Sequence, residues 1–106
     1  GSACGAAICY LFGGDYDAIA HCLVNSLAIT SGIICDGAKA SCAAKIAFSI
    51  ESAMVAYEMY KCGNEFLDGE GIVSKGVENT IINVGRLGKD GMRETDKEIL
   101  KIMTGC

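Results

Sequence analysis

The sequence predicts an all-α fold: a compact bundle of about five helices around a central apolar helix. The chain contains no proline, and most of its 14 glycines fall between apolar runs rather than inside them, which is typical of helices that end at glycine caps. Apolar residues also recur at helical spacing. Because 106 residues suffice for one hydrophobic core, residues 1–106 are interpreted as a single helical domain.

The first half of the chain is divided by clear helix-end signals. A helix over residues 3–12 is followed by Gly13-Gly14, which is a C-cap signal. Asp15 is a suitable N-cap for a second helix that should stop near Ser31-Gly32. Residues 35–42 combine turn formers with two thiols, and we expect a loop that runs into a helix N-terminus.

The second half of the chain should begin with the central helix. Residues 40–60 are apolar nearly all round, and the part from Ala43 to Tyr57 is predicted to be the most buried helix. A polar segment then leads to a fourth helix that starts near Val77 and is expected to close near residues 85–88. Thr95 is predicted to N-cap a last helix, with Glu98 in the capping-box position.

Composition and charge argue against two classes of partner. Thirteen acidic and nine basic residues give a net charge of -4, and no basic block offers a footprint for nucleic acid. The longest stretch without a charged residue, 18–35, contains His21, Asn25 and Ser26 and is too polar for a membrane span. No secretory leader is visible, and Gly1-Ser2 resembles the remnant of a cleaved purification tag.

Seven cysteines are many for a chain of this length. An odd number without a leader favours a reducing, cytoplasmic location in which no disulfide is needed for the fold. Cys9 and Cys22 stand among apolar neighbours and are expected to pack as small hydrophobic residues. The other five thiols are Cys4, Cys35, Cys42, Cys62 and Cys106.

Cys35 and Cys42 form the one arrangement that suggests chemistry, together with Asp36, Gly37 and Lys39 between them. Thiolates bind iron-sulfur clusters, and loops or helix ends supply backbone N–H groups that offset the negative charge of the sulfurs. On spacing alone the pair is a weak signal, because common zinc and ferredoxin patterns use shorter gaps. On spacing alone, two buried thiols at a helix start are the favoured interpretation.

Three collinear blocks resemble the family of iron-sulfur L-serine dehydratases and L-cysteine desulfidases. The run 32–39 reads G-I-I-C-D-G-A-K and continues into C-A-A-K at 42–45, which is similar to the family signature. Residues 7–14 resemble the preceding segment that ends in Y-L-x-G-G, and residues 71–103 resemble the C-terminal block. Family members are several times longer, so the resemblance implies that this chain is a C-terminal fragment, roughly the last quarter of its parent.

The resemblance implies an oxygen-sensitive 4Fe-4S cluster held by three cysteines, with one iron open to the substrate. Such a centre eliminates hydroxide or sulfide from L-serine or L-cysteine and yields pyruvate and ammonia. Cys35 and Cys42 would be two of the ligands. The third falls before residue 1 by alignment, with Cys4 as the fallback, so the missing N-terminal part of the parent is an implied partner. Substrate preference and a homo-oligomeric assembly stay open.

The remaining polar residues are weaker candidates. Lys39 and Asp36 are the catalytic candidates: they either orient the substrate carboxylate and the signature loop or pair with each other. Lys45 and Glu51, on the apolar helix, are interpreted as ion-paired or cavity-lip residues rather than catalytic groups. His21 lies outside the matching blocks and is a poor candidate for the base.

Two other hypotheses are compatible with the sequence of the site. The chain or its parent could be a non-catalytic helical module that keeps the fold without a working cluster. A zinc-binding module built from Cys4, Cys35, Cys42 and another thiol is also conceivable, but its spacing matches no common zinc pattern.

Overall fold

The computed structural model describes residues 1–105 and contains helices and loops without a strand, so the all-α class is confirmed. Cys106 lies outside the described residues. Within them, no helix is both long and apolar enough to cross a membrane. The elements are α1 (Ser2–Leu11), α2 (Tyr16–Thr30), α3 (Ala40–Lys61), α4 (Val77–Arg86), a π-helical turn (Leu87–Gly91) and α5 (Met92–Thr104).

The predicted break between the last two helices is wrong. Helix α4 continues through the π-helical turn into α5, so residues 1–105 form four separate helical rods instead of five. Gly85 and Gly88 do not end the helix because neither adopts the positive φ that a glycine C-cap requires. Thr95 lies inside α5, which starts at Met92. It therefore does not act as an N-cap.

The start of α2 is built as the sequence predicts. Helix α1 ends in a turn in which the Gly14 N–H donates to the Cys9 carbonyl at 2.9 Å. Gly13 has a φ of 85°, a conformation that glycine adopts without the steric cost paid by other residues. The Asp15 carboxylate then accepts a hydrogen bond from the Ala18 N–H at 2.9 Å. This N-cap satisfies one of the backbone N–H groups that have no partner within the helix at the start of α2.

Helix α2, rather than α3, is the central element. It packs against α1, α3 and α4, and it contributes five buried residues, Ala18, Cys22, Val24, Asn25 and Ser26. The prediction that residues 43–57 form the most buried helix is wrong, because only Ser52, Ala53 and Ala56 of α3 are buried. Helices α1 and α2 cover the C-terminal half of α3. The apolar residues of its N-terminal half remain exposed.

Small side chains allow α1, α2 and α3 to approach closely. A side chain on Gly5 of α1 would collide with Ala53 of α3. Cys9 and Cys22 are fully buried beside Ala56, as expected, and burial raises the pKa of both thiols. Since the Cys22 thiol also donates to the Ala53 carbonyl at 3.6 Å, this part of the core leaves no thiol free for chemistry.

Asn25 connects α2 to α3 and to the loop that follows α3. Its side chain is fully buried, and its amide nitrogen donates to the carbonyls of Ala56 and Asn64, each at 3.5 Å. Its amide oxygen accepts a hydrogen bond from the Phe66 N–H at 3.2 Å. One polar side chain therefore holds three segments of the chain together.

Replacing this residue tests the connection. Asn25→Ala should lower the free energy of unfolding by about 2 kcal/mol, because it leaves buried backbone groups of α3 and the following loop without partners. Urea denaturation followed by circular dichroism measures the effect. The matched control is Asn79→Ala, since exposed Asn79 donates to the nearby Lys75 carbonyl and to no other group within residues 1–105. Equal effects of the two substitutions would contradict the assignment.

Candidate dithiol site

The structure brings Cys35 and Cys42 into contact, with their sulfur atoms 3.5 Å apart. Cys35 is exposed on the loop between α2 and α3, and Cys42 is half-buried in the first turn of α3. Contact arises because the loop reverses direction immediately before the helix begins. The two cysteines predicted as cluster ligands are therefore neighbours at one helix start.

The backbone between the two thiols curls around the Cys35 sulfur. Gly37 and Ala38 adopt successive positive φ angles of 107° and 54°, and their N–H groups both donate to that sulfur. These two hydrogen bonds, with a smaller contribution from Cys42, lower the pKa of the Cys35 thiol. The loop is thus shaped to stabilise a thiolate.

The Asp36 carboxylate holds this loop against α3. It accepts hydrogen bonds from the Ser41 hydroxyl at 2.9 Å and from the Cys42 thiol at 3.5 Å, and it forms an ion pair with the Lys45 ammonium at 2.8 Å. The Lys45 contact, followed by the Ser41 hydroxyl, lowers the pKa of Asp36 to about 2. Asp36 is therefore ionised and fully engaged at neutral pH.

The predicted alternative in which Asp36 pairs with Lys39 is wrong, because Lys45 takes that position. Lys45 follows Ser41 by one helical turn, and both side chains reach the same carboxylate. Lys39 lies in extended backbone just before α3 and forms no ion pair with residues 1–105. Glu51 is exposed and is not the partner of Lys45. Of the two lysines, only Lys45 has its charge compensated.

Two open cavities meet at Cys35. One, of about 430 Å³, has apolar walls and polar groups from Cys35, Cys42 and Lys45. The other, of about 340 Å³, runs between α2 and the α4–α5 rod and also includes Cys35. Volumes of this size accommodate a small molecule. Cys35 therefore borders both cavities, and Cys42 borders the larger one.

Sequence reasoning missed two residues that shape the site. Ser41 lies between the predicted cluster residues, and its hydroxyl is the second main contact of Asp36. Met103 comes from the far end of α5 and covers Gly37, where any side chain would collide with its thioether. The serine could have been noticed within the signature, but the position of Met103 depends on the unbroken α4–α5 rod.

Cys4 is not brought to the thiol pair. Helix α1 contacts α3 around Ala53, and Ala53 lies roughly 16 Å along the helix axis from Cys42. Within residues 1–105, no group of three or more histidine, cysteine, aspartate or glutamate side chains is arranged so that it could hold a metal ion. The zinc module that would use Cys4 beside Cys35 and Cys42 is therefore not formed by the described residues.

His21 belongs to a different cluster. Its ring lies 2.9 Å from the Glu65 carboxylate and 3.5 Å from that of Asp17, and it stacks on Tyr60. The Tyr60 hydroxyl donates to Asp17 at 3.1 Å. Tyr60 lies near the end of α3, whereas the thiols lie at its start. His21 therefore connects α2 to the segment after α3 and does not reach the thiols.

The fold and this site define a helical domain that presents a thiol pair on the loop before its longest helix. Residues 1–101 match the family model described as the serine dehydratase alpha chain. The chain therefore belongs to the serine dehydratase alpha chain family, which confirms the resemblance read from the three sequence blocks.

The most similar proteins include several bacterial relatives named UPF0597 protein. The relative from Desulfitobacterium hafniense is 60% identical over 103 residues, which cover 97% of this chain and 24% of the relative. The Treponema denticola relative is 47% identical over 97% of this chain and 24% of its own length. The chain thus spans about a quarter of the curated relatives it matches. No solved structure matches it.

The Asp36 contacts predict a specific acid sensitivity. Because its pKa falls from 3.8 to about 2 on folding, Asp36 contributes stability above pH 3.8 that is lost as the pH falls towards 2. Asp36→Asn should therefore lose less thermal stability than the wild type over that interval. Melting temperatures measured by circular dichroism test this, with exposed Asp90→Asn as control. Parallel curves for Asp36→Asn and the wild type would refute the role of the carboxylate.

Proposed function

We propose that this chain is the cluster-binding domain of a 4Fe-4S-dependent lyase that removes the β-substituent of L-cysteine or L-serine. The observation that carries the proposal is the 3.5 Å contact between the Cys35 sulfur, on the loop before α3, and the Cys42 sulfur, in the first turn of α3. Membership of the serine dehydratase alpha chain family supports the same reaction class. The products would be pyruvate and ammonia.

The donor set fits part of such a cluster. Cys35 and Cys42 would each bind one iron, and the N–H groups of Gly37 and Ala38 would offset the negative charge on sulfur. When bound, the cluster supplies a Lewis-acid iron that stabilises the leaving hydroxide or sulfide. We assign the third ligand to the remainder of the parent chain.

The charged residues of the loop have different proposed roles. Asp36 acts as a positioning residue, because its carboxylate is already occupied by Lys45, Ser41 and Cys42. Lys39 is exposed, has no anionic partner within residues 1–105 and follows Ala38, which lines the larger cavity. Its ammonium is therefore our candidate for attracting the substrate carboxylate. The base that removes the α-proton would come from the remainder of the parent.

We also propose that the remainder of the parent packs on the N-terminal half of α3. Ile46, which lines the cavity that contains both thiols, is 64% exposed, and Phe48 on the same half of the helix is 48% exposed. Apolar surface of this kind is stabilised when another surface covers it. About three quarters of the length of the curated relatives lies outside the matched region. Packing at this place would exclude water from the reacting groups.

The full-length parent, made anaerobically, tests the function. It should show the broad visible absorption of an iron-sulfur cluster and release ammonia from L-cysteine or L-serine. Cys35→Ser and Cys42→Ser should each lower kcat/KM by more than about 100-fold and weaken the absorption, because each removes a ligand. Cys62→Ser is the matched control, since this exposed thiol lies at the end of α3. An active protein without iron would refute the proposal.

The 106-residue chain alone should bind no stable cluster. Two thiolates leave at least one further protein ligand to be supplied, and residues 1–105 bring no third cysteine to the pair. Anaerobic reconstitution with iron and sulfide, followed by iron analysis after gel filtration, should give far less than four irons per chain. A stoichiometric cluster that Cys4→Ala abolishes would show that Cys4 is the third ligand.

A further inference from the structure

We propose that Cys35 and Cys42 form a reversible intramolecular disulfide in the cluster-free chain, with a low-molecular-weight disulfide such as oxidised glutathione as the oxidant. The two sulfurs already touch at 3.5 Å. A disulfide bond is about 2.05 Å long, so the sulfurs need to approach by only about 1.5 Å. The same two residues would thus have a covalent alternative to metal binding.

The surrounding backbone permits this approach. Cys35 lies on the irregular segment between α2 and α3, whereas Cys42 is fixed in the first turn of α3. The movement therefore falls on the loop, where rotation of the Cys35 side chain and adjustment at Gly37 supply the required displacement. No helix needs to unwind for the bond to form.

The described cysteines differ in their ability to form such a bond. Cys9 and Cys22 are fully buried, which excludes an incoming oxidant. Cys4 and Cys62 are exposed, but no other thiol contacts either of them within residues 1–105. Cys35 and Cys42 alone among the described thiols combine access to solvent with a thiol neighbour. The structure therefore selects one pair.

The reaction is a two-step thiol–disulfide exchange. One thiolate of the pair attacks a glutathione sulfur, which breaks the glutathione disulfide, releases one glutathione thiolate and leaves a mixed disulfide on the protein. The second protein thiolate attacks the protein sulfur of that mixed disulfide, forms the Cys35–Cys42 bond and releases the second glutathione. Two protein thiols are oxidised and one glutathione disulfide is reduced. The two protons pass to the released thiolates.

The bond would control cluster assembly, because it consumes both thiolates that would bind iron. Reduction would then be required before a cluster could be inserted. This consequence rests on the proposed function, whereas formation of the disulfide depends only on the two thiols. The two statements can therefore be tested separately.

The disulfide is tested on the 106-residue chain in anaerobic glutathione buffers, quenched with acid and alkylated. Wild-type protein should lose the mass of two hydrogen atoms. Trypsin cleaves after Lys39, so the peptides on either side should stay joined until reduced. Cys35→Ser and Cys42→Ser should instead accumulate a glutathione adduct on the remaining thiol, at least about 10-fold more than the wild type, because no neighbouring thiol displaces it.

The Cys4→Ser/Cys62→Ser double variant is the matched control and should retain the joined peptides, since it keeps the contacting pair. Wild-type protein that accumulates stable adducts on both Cys35 and Cys42 would overturn the inference. Iron uptake by the full-length parent is measured in parallel, before and after reduction. A disulfide that leaves iron uptake unchanged would overturn the ligand role of the pair while leaving the modification itself supported.

Discussion

The close approach of three helices around Ala53 is the constraint from which the rest of the domain follows. A glycine at position 5 lets α1 lie against Ala53, and buried Cys22 donates to the carbonyl of the same residue. Only small side chains allow this packing, which is why the core is poor in large residues. The contact also leaves the beginning of α3 unsupported by α1. The thiol loop, residues 31–39 with Cys35, adjoins this uncovered start of α3.

At the start of α3, polar contacts rather than hydrophobic packing hold the thiol loop against the helix. The Asp36 carboxylate joins the loop to Ser41 and Lys45, and the N–H groups of Gly37 and Ala38 direct positive potential towards the Cys35 sulfur. A negatively charged group bound there would therefore meet preformed donors rather than a flexible chain. The same backbone conformation therefore determines both the shape of the loop and the stability of the Cys35 thiolate.

The sequence was sufficient where the signal is local. Asp15 identified the start of α2, and the signature identified the thiol pair. It was insufficient where the structure depends on tertiary contacts. The apolar character of α3 does not reveal which of its faces other helices cover, so the sequence did not predict that α2 is the central helix. Gly85 resembles a stop signal, yet a glycine with helical neighbours can keep right-handed φ angles. The Asp36–Lys45 contact joins the loop to α3, and no residue pattern specifies the positive φ of Ala38 between them.

The unbroken rod formed by α4 and α5 has a mechanical consequence. Thr80 anchors it by exchanging hydrogen bonds with the backbone of Ser74. Within residues 1–105, α5 packs against no helical element other than the π-helical turn that precedes it. Met103 nevertheless rests on Gly37. The rod is thus a lever roughly 35 Å long between these two points. A tilt of about five degrees at the anchor displaces the tip by about 3 Å, so the thiol loop is sensitive to strain applied far from it.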